Sequence, residues 1–321
     1  MANTYPYQKT MISAAMLIIF FVLFSCKKDE DIAMESQPFI TDFIGNIKTD
    51  SISQKISWLQ QNGTRFALSN NRKTIALGIR DKLLAYGYAD ARLDSFNVSG
   101  TYDGSSYNCT QYNVIATLGG AVHPDSLCVV GAHYDCIVDE TDPLVAAPGA
   151  DDNASGVAGM LEIARVMKQQ NYSPRTSIVF VAFGCEELDL NGSAALAQQY
   201  SSAGTKIGMM LNMDMIGYDK ESDAGSWEIN IMCYDNSESL RSQAASLAKT
   251  YTSLTPENDN QYNTEGDSYS FNQKGYQALF FLSYDDDPYY HTINDLKSNV
   301  NVEYCSQVVK LNCSMLLYNN Q

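Results

Sequence analysis

Two short stretches carry most of the residues that could do chemistry. "GAHYDC", residues 131–136, puts His133 and Asp135 two apart at the end of an apolar run. "APGADDNASG", residues 147–156, puts Asp151 and Asp152 side by side before a helix-like pattern. Farther along come adjacent Glu186 and Glu187, then Asp214, then His291. Carboxylates gathered in one place repel one another unless positive charge sits among them. Imidazole together with carboxylate suits zinc. The set His133, Asp151, Glu187, Asp214 and His291, with Glu186 beside it, is too large for one tetrahedral ion with an open position. It suits two ions a few ångströms apart, joined by a shared carboxylate. Taken singly, each residue has an ordinary reading. Either histidine could be structural, Asp151–Asp152 could cap a helix, Glu186–Glu187 could be a solvated turn, and Asp214 a buried, hydrogen-bonded acid.

What unites them is position. Each follows a β-rich run: "SLCVVGAH", "RTSIVFVAFG", "IGMMLNMD" and "YQALFFLSY", with Asp151 on the loop before a helix. Ligands in open α/β sheets bind outside the carboxyl ends of the strands. Helical patterns separate these runs. "SGVAGMLEIARVMKQQ" is amphipathic, a helix starts at Ser193, another spans about Ser237–Thr250, and the last runs from about Val302 to Leu317. Two earlier helices are marked by Ile52, Ile56, Leu59 and by Ile75, Ile79, Leu83, the second ending near Gly87. The alternation predicts an α/β fold with a mixed, mostly parallel central sheet and helices on both faces. "QYNVIATL" and "SLCVVGAH", joined by "GGAVHPD", predict an antiparallel hairpin centred between Val122 and His123. Cys109 and Cys136 are equidistant from that centre, which in a regular register makes them cross-strand neighbours and a disulfide pair.

Five motifs, "GAHYD", "PGADDNASG", "FVAFGCEELDLNGS", "LNMDMIGYD" and "YYHTINDL", occur in an order that resembles the secreted bacterial dizinc aminopeptidases of peptidase clan MH. The resemblance spans roughly Ile40 to the C-terminus and implies a dizinc exopeptidase (phosphorylase/hydrolase-like) fold. It implies two Zn²⁺ per chain, one on His133 and Asp214 and the other on Glu187 and His291, bridged by Asp151. It also implies a cis peptide at Asp151–Asp152 and Glu186 as general acid/base acting on a metal-activated water. Asp214 would also lie near the substrate's free amino group. The expected activity is removal of N-terminal amino acids from peptides with a free N-terminus. A single-zinc glutaminyl cyclase and a non-catalytic binding module on the same fold are the alternatives. Asp135, two residues from His133 on a strand end, can accept the second imidazole N–H and fix the ring. "GDS" at 266–268 departs from the Ser-Asp-His of many relatives, and Asp285–Asp287 read as an exposed acidic loop.

The N-terminus reads as an address. Met11–Phe24 is a mostly apolar run preceded by Lys9. That is short of the ~20 residues a membrane span needs but fits a signal-peptide core. It ends in Leu23-Phe24-Ser25-Cys26, which looks like a bacterial lipoprotein signal with Cys26 as the lipidated residue. The expected organisation is a signal peptide over 1–25, a charged tether over 26–38, and one peptidase domain over 39–321. The expected location is the cell envelope, as a periplasmic or outer-membrane lipoprotein held by its lipid alone. A formal net charge of −16 argues against nucleic-acid partners.

Overall fold

Apolar residues recurring every three to four positions make the first three elements helices. The computed structural model describes residues 34–321. Helix α1 (Pro38–Ile44) starts on a proline, whose fixed φ suits a first turn. Helices α2 (Thr49–Gln61) and α3 (Arg72–Ala85) bury Ile52, Ile56, Leu59 and Ile75, Ile79, Leu83. Strands β1 (Arg92–Tyr102) and β2 (Ser105–Leu118) then form an antiparallel hairpin. Its tip is Asp103-Gly104, both at positive φ, the backbone a two-residue hairpin needs.

From there strands and helices alternate: β3 (His123–His133), α4 (Ala154–Gln169), β4 (Thr176–Phe183), α5 (Asn191–Ser202) and β5 (Lys206–Met213). The second half adds β6 (Glu228–Met232), α6 (Glu238–Tyr251), the short β7 (Thr255–Glu257), α7 (Asp267–Asn272), β8 (Ala278–Ser283) and α8 (Val302–Tyr318). All eight strands join one sheet in the order β1-β2-β4-β3-β5-β8-β6-β7. The pairs β3–β4, β3–β5, β5–β8 and β6–β7 are parallel; β1–β2, β2–β4 and β6–β8 are antiparallel. The mixed, mostly parallel sheet is therefore the one expected.

The expected hairpin between β2 and β3 does not form. Strand β4 lies between them, antiparallel to β2 and parallel to β3. Its run "SIVFVAF" is buried on both faces, and such a strand gains most from hydrogen-bonded neighbours on both edges and cover above and below. The Cys109–Cys136 disulfide falls with the hairpin. Cys109 opposes Val98 on β1, while Cys136 is buried past the end of β3 with its thiol donating to the Ala147 carbonyl. All seven cysteines among the described residues are free thiols. Cys26 lies outside the described residues.

Alternation along β4 divides the core. Ile178 and Phe180 face the layer of α2, α3, α4 and α8, where they join Val157, Leu161 and Val309. Val179, Val181 and Phe183 face the opposite layer with Leu196 of α5 and Phe271 of α7. Each fully buried Phe or Leu contributes roughly 1.5–3 kcal/mol relative to exposure, so the sheet is a rigid base for the loops at its carboxyl edge. No helix among the described residues is long and apolar enough to cross a membrane.

Candidate metal centre

Parallel strands point the same way, so their C-terminal loops meet. His133 is the last residue of β3, Glu186 and Glu187 follow β4, Asp214 follows β5, and His291 follows β8. Gly156, in the first turn of α4, completes the convergence. A Cβ there would lie 2.3 Å from the Met213 carbonyl oxygen and 2.4 Å from Asn153 Oδ1. Only glycine lets the helix start this close to the end of β5. Asn153 caps α4 by accepting the Gly156 N–H, and its amide donates to the Met213 carbonyl.

Two groups result. His133 Nε2 lies 3.2 Å from Asp214 Oδ1 and 3.3 Å from Asp152 Oδ1. His291 Nε2 lies 3.3 Å from Asp152 Oδ2 and 3.3 Å from Glu187 Oε2. Asp152 thus gives one oxygen to each imidazole. Glu186 Oε2 sits farther off, 3.9 Å from His133 Nε2.

Asp152, and not Asp151, is the carboxylate that lies between the two imidazoles. The Asp151 carboxylate is buried against Gly217, has no hydrogen-bond partner among the described residues, and meets neither imidazole. The cis peptide is likewise one bond on, at Asp152–Asn153. The assignment to Asp151 rested on the motif, and the side chains of an adjacent pair point in different directions. Asp135 also acts differently from expectation. His133 Nδ1 donates to the Asp135 main-chain carbonyl at 3.1 Å, while the Asp135 carboxylate is 3.8 Å away. That carboxylate instead accepts the backbone N–H groups of Glu186 and Glu187, at 3.1 and 3.2 Å.

Several further residues hold the site. Asp295 accepts the N–H groups of Asp151 and Asp152 at 2.7 and 2.9 Å, as Asp135 does for the glutamates. Asp295 belongs to the "YYHTINDL" motif, four residues past His291. Arg65, fully buried between α2 and α3, donates to the carbonyls of Tyr134, Pro148 and Gly149. It ties the His133 loop to the Asp152 loop. Asp139 faces His291 Nδ1 at 3.3 Å, and Tyr290 stacks on the ring with centroids 3.8 Å apart.

The electrostatics follow from burial. Desolvation and the neighbouring Asp152 push Glu187 up to about 8. Burial, opposed by His133 and reinforced by Glu187 and Asp214, raises Glu186 well above its ordinary range. Burial works against charge on His291, yet Asp152 and Glu187 outweigh it and raise the imidazole to about 11. His133 is raised in the same way, against burial, by Asp214, Glu186 and Asp152. Burial alone would raise Asp152, but the two imidazoles hold it below the usual carboxylate range. The carboxylates demand positive charge, and Glu187 Oε1 is buried with no hydrogen-bond partner among the described residues. His133, Asp152 and Glu187 present ligand atoms within 4.8 Å of one another, as do His133, Glu186 and Asp214. A mixed imidazole–carboxylate set with an unpartnered oxygen fits divalent zinc.

A cavity of about 610 Å³ opens from this centre, with Tyr284 and the acids Asp285, Asp286 and Asp287 in its wall. The acidic loop is therefore part of the cleft and not merely solvated surface. Asp285 is anchored by Lys220, whose ammonium is 2.6 Å away.

The fold and site define a peptidase class. Residues 113–316 match the model of peptidase family M28, and the chain belongs to that family. A probable zinc metalloprotease of Pyrenophora tritici-repentis is 32% identical over 221 residues, 65% of this chain and 50% of the relative. Leucine aminopeptidase 1 of Arthroderma otae is 34% identical over 214 residues, 64% of this chain and 57% of the relative. The chain thus spans about half the length of the curated relatives it matches. Among solved structures, the aminopeptidase from Aneurinibacillus sp. strain AM-1 superposes with a TM-score of 0.72 at 17% identity, covering 88% of this chain and 96% of that one. The glutaminyl cyclase of Bacteroides thetaiotaomicron gives 0.68 at 18%, covering 86% and 99%. At such identities the likeness is one of fold.

Proposed function

We propose that this chain is a zinc-dependent aminopeptidase that removes N-terminal residues from peptides. The observation that carries the reading is Asp152, whose two oxygens each lie 3.3 Å from a different imidazole. His133, Asp214 and Asp152 would hold one zinc, and His291, Glu187 and Asp152 the other. Zinc, when bound, polarises a carbonyl and acidifies water. Glu186, whose Oε2 is 3.9 Å from His133 Nε2 against 3.2 Å for Asp214 and 3.3 Å for Asp152, takes the proton of the attacking water and returns it to the leaving amine. Burial raises its pKa, the direction a proton shuttle at neutral pH needs. Asp135 fixes the backbone of both glutamates, so shuttle and ligand keep separate directions. A single-zinc cyclase would leave one of the two groups idle.

The test compares metal content and rate. Glu186→Gln should keep both zinc ions and lose ~10²–10⁴ in kcat on aminoacyl 4-nitroanilides. Glu187→Gln should lose a metal and recover in part with excess zinc. The reverse pattern would exchange the two roles. We further propose that Cys26 is lipidated and holds the domain at the cell envelope, on the strength of the apolar run Met11–Phe24 and the Ser25-Cys26 junction. Cys26→Ser should then move the protein out of the membrane fraction, and unchanged fractionation would count against the anchor.

A further inference from the structure

The cavity beside the metal centre has two kinds of wall. Met215, Phe280 and Leu282 give it an apolar surface, and Asp259, Glu265 and Asp286 give it carboxylates. Phe280 and Leu282 are two apart on β8 and so share a face of the sheet. Glu186 and Glu187 also line the cavity, so its inner end opens on the candidate metal centre. Among the described residues no lysine or arginine lines it. The ammonium of Lys220, placed outside the lining, pairs with Asp285, which leaves Asp259, Glu265 and Asp286 as the acids of the wall.

We propose that this cavity receives the side chain of the substrate's N-terminal residue and selects lysine or arginine. The inference rests on the aminopeptidase reading above. Lysine and arginine bury a methylene stem along apolar surface while the charged head stays among polar groups, and the two kinds of wall suit those two parts. A leucine or methionine side chain gains the apolar contact only. The acids also raise the local concentration of cationic peptides.

The test is kcat/KM of the zinc-loaded protein on lysyl, arginyl, leucyl and methionyl 4-nitroanilides. Lysine and arginine should exceed leucine and methionine by roughly 10- to 100-fold, the usual worth of a hydrogen bond to a charged group. Glu265→Gln combined with Asp286→Asn, both exposed and so compatible with folding, should compress that ratio about tenfold. A preference for leucine or methionine, or a ratio unmoved by the double variant, would overturn the inference. Absence of turnover on all four substrates would instead overturn the peptidase reading. Calorimetry with lysinamide and leucinamide then decides the cavity: about tenfold tighter lysinamide binding supports it, and equal binding overturns it.

Discussion

Two adjacent acid pairs reach the same cleft and are used differently. In Glu186–Glu187 both side chains line it; in Asp151–Asp152 only the second does. The backbones are held alike, since Asp135 accepts both N–H groups of the first pair and Asp295 both N–H groups of the second. The difference arises beyond the backbone. Asp151 is drawn back against Gly217, at the packed base of α4, where its carboxylate oxygens have no hydrogen-bond partner among the described residues. The longer glutamates, on a loop whose Cys185, Asp189 and Leu190 all have positive φ, both reach the wall of the cleft. An acid dipeptide therefore locates a site, and its backbone trajectory assigns the roles.

That comparison can be broken in steps. Asp152→Asn should have the largest effect, lowering turnover by at least the ~10²–10⁴ expected for the proton shuttle, because an uncharged amide then stands between the two imidazole groups and offers an oxygen to only one of them. Steady-state rates on the preferred aminoacyl substrate measure it, and a loss under tenfold would remove Asp152 from the centre. Asp295→Asn should be milder, weakening zinc binding by about 10- to 100-fold, as expected of groups that orient a ligand. Competition with a chelator reads that affinity, and an unchanged value would reduce Asp295 to a structural role. Asp151→Asn should be mildest, keeping kcat/KM within about threefold, since no transition-state contact is lost.

Much of this was legible in the sequence, for identifiable reasons. The apolar strand "IVFVAF" and the amphipathic α4 have unambiguous periods, so the sheet and its helices could be placed. Residues ending parallel strands must converge, so His133, Glu187, Asp214 and His291 could be grouped before any geometry. Local signals failed where a distant element competed. The "GGAVHPD" turn suggested a hairpin, but β4 took the place between β2 and β3, and Cys109 and Cys136 were separated with it. Asp151 and Asp152 are chemically alike, so no pattern could choose between them. Asp295 and Arg65 act on main-chain groups brought close only by the fold, so the "YYHTINDL" motif can mark Asp295 without saying what it meets, and Arg65 has no mark at all.

The central claim is that Asp152 joins two zinc positions while Asp151 joins none. Zinc content per chain after equilibrium dialysis tests it directly, on the wild-type protein and on Asp151→Asn and Asp152→Asn. The account predicts two zinc ions for the wild type and for Asp151→Asn, and fewer than one for Asp152→Asn. Loss of zinc from Asp151→Asn, with both ions kept by Asp152→Asn, would contradict it.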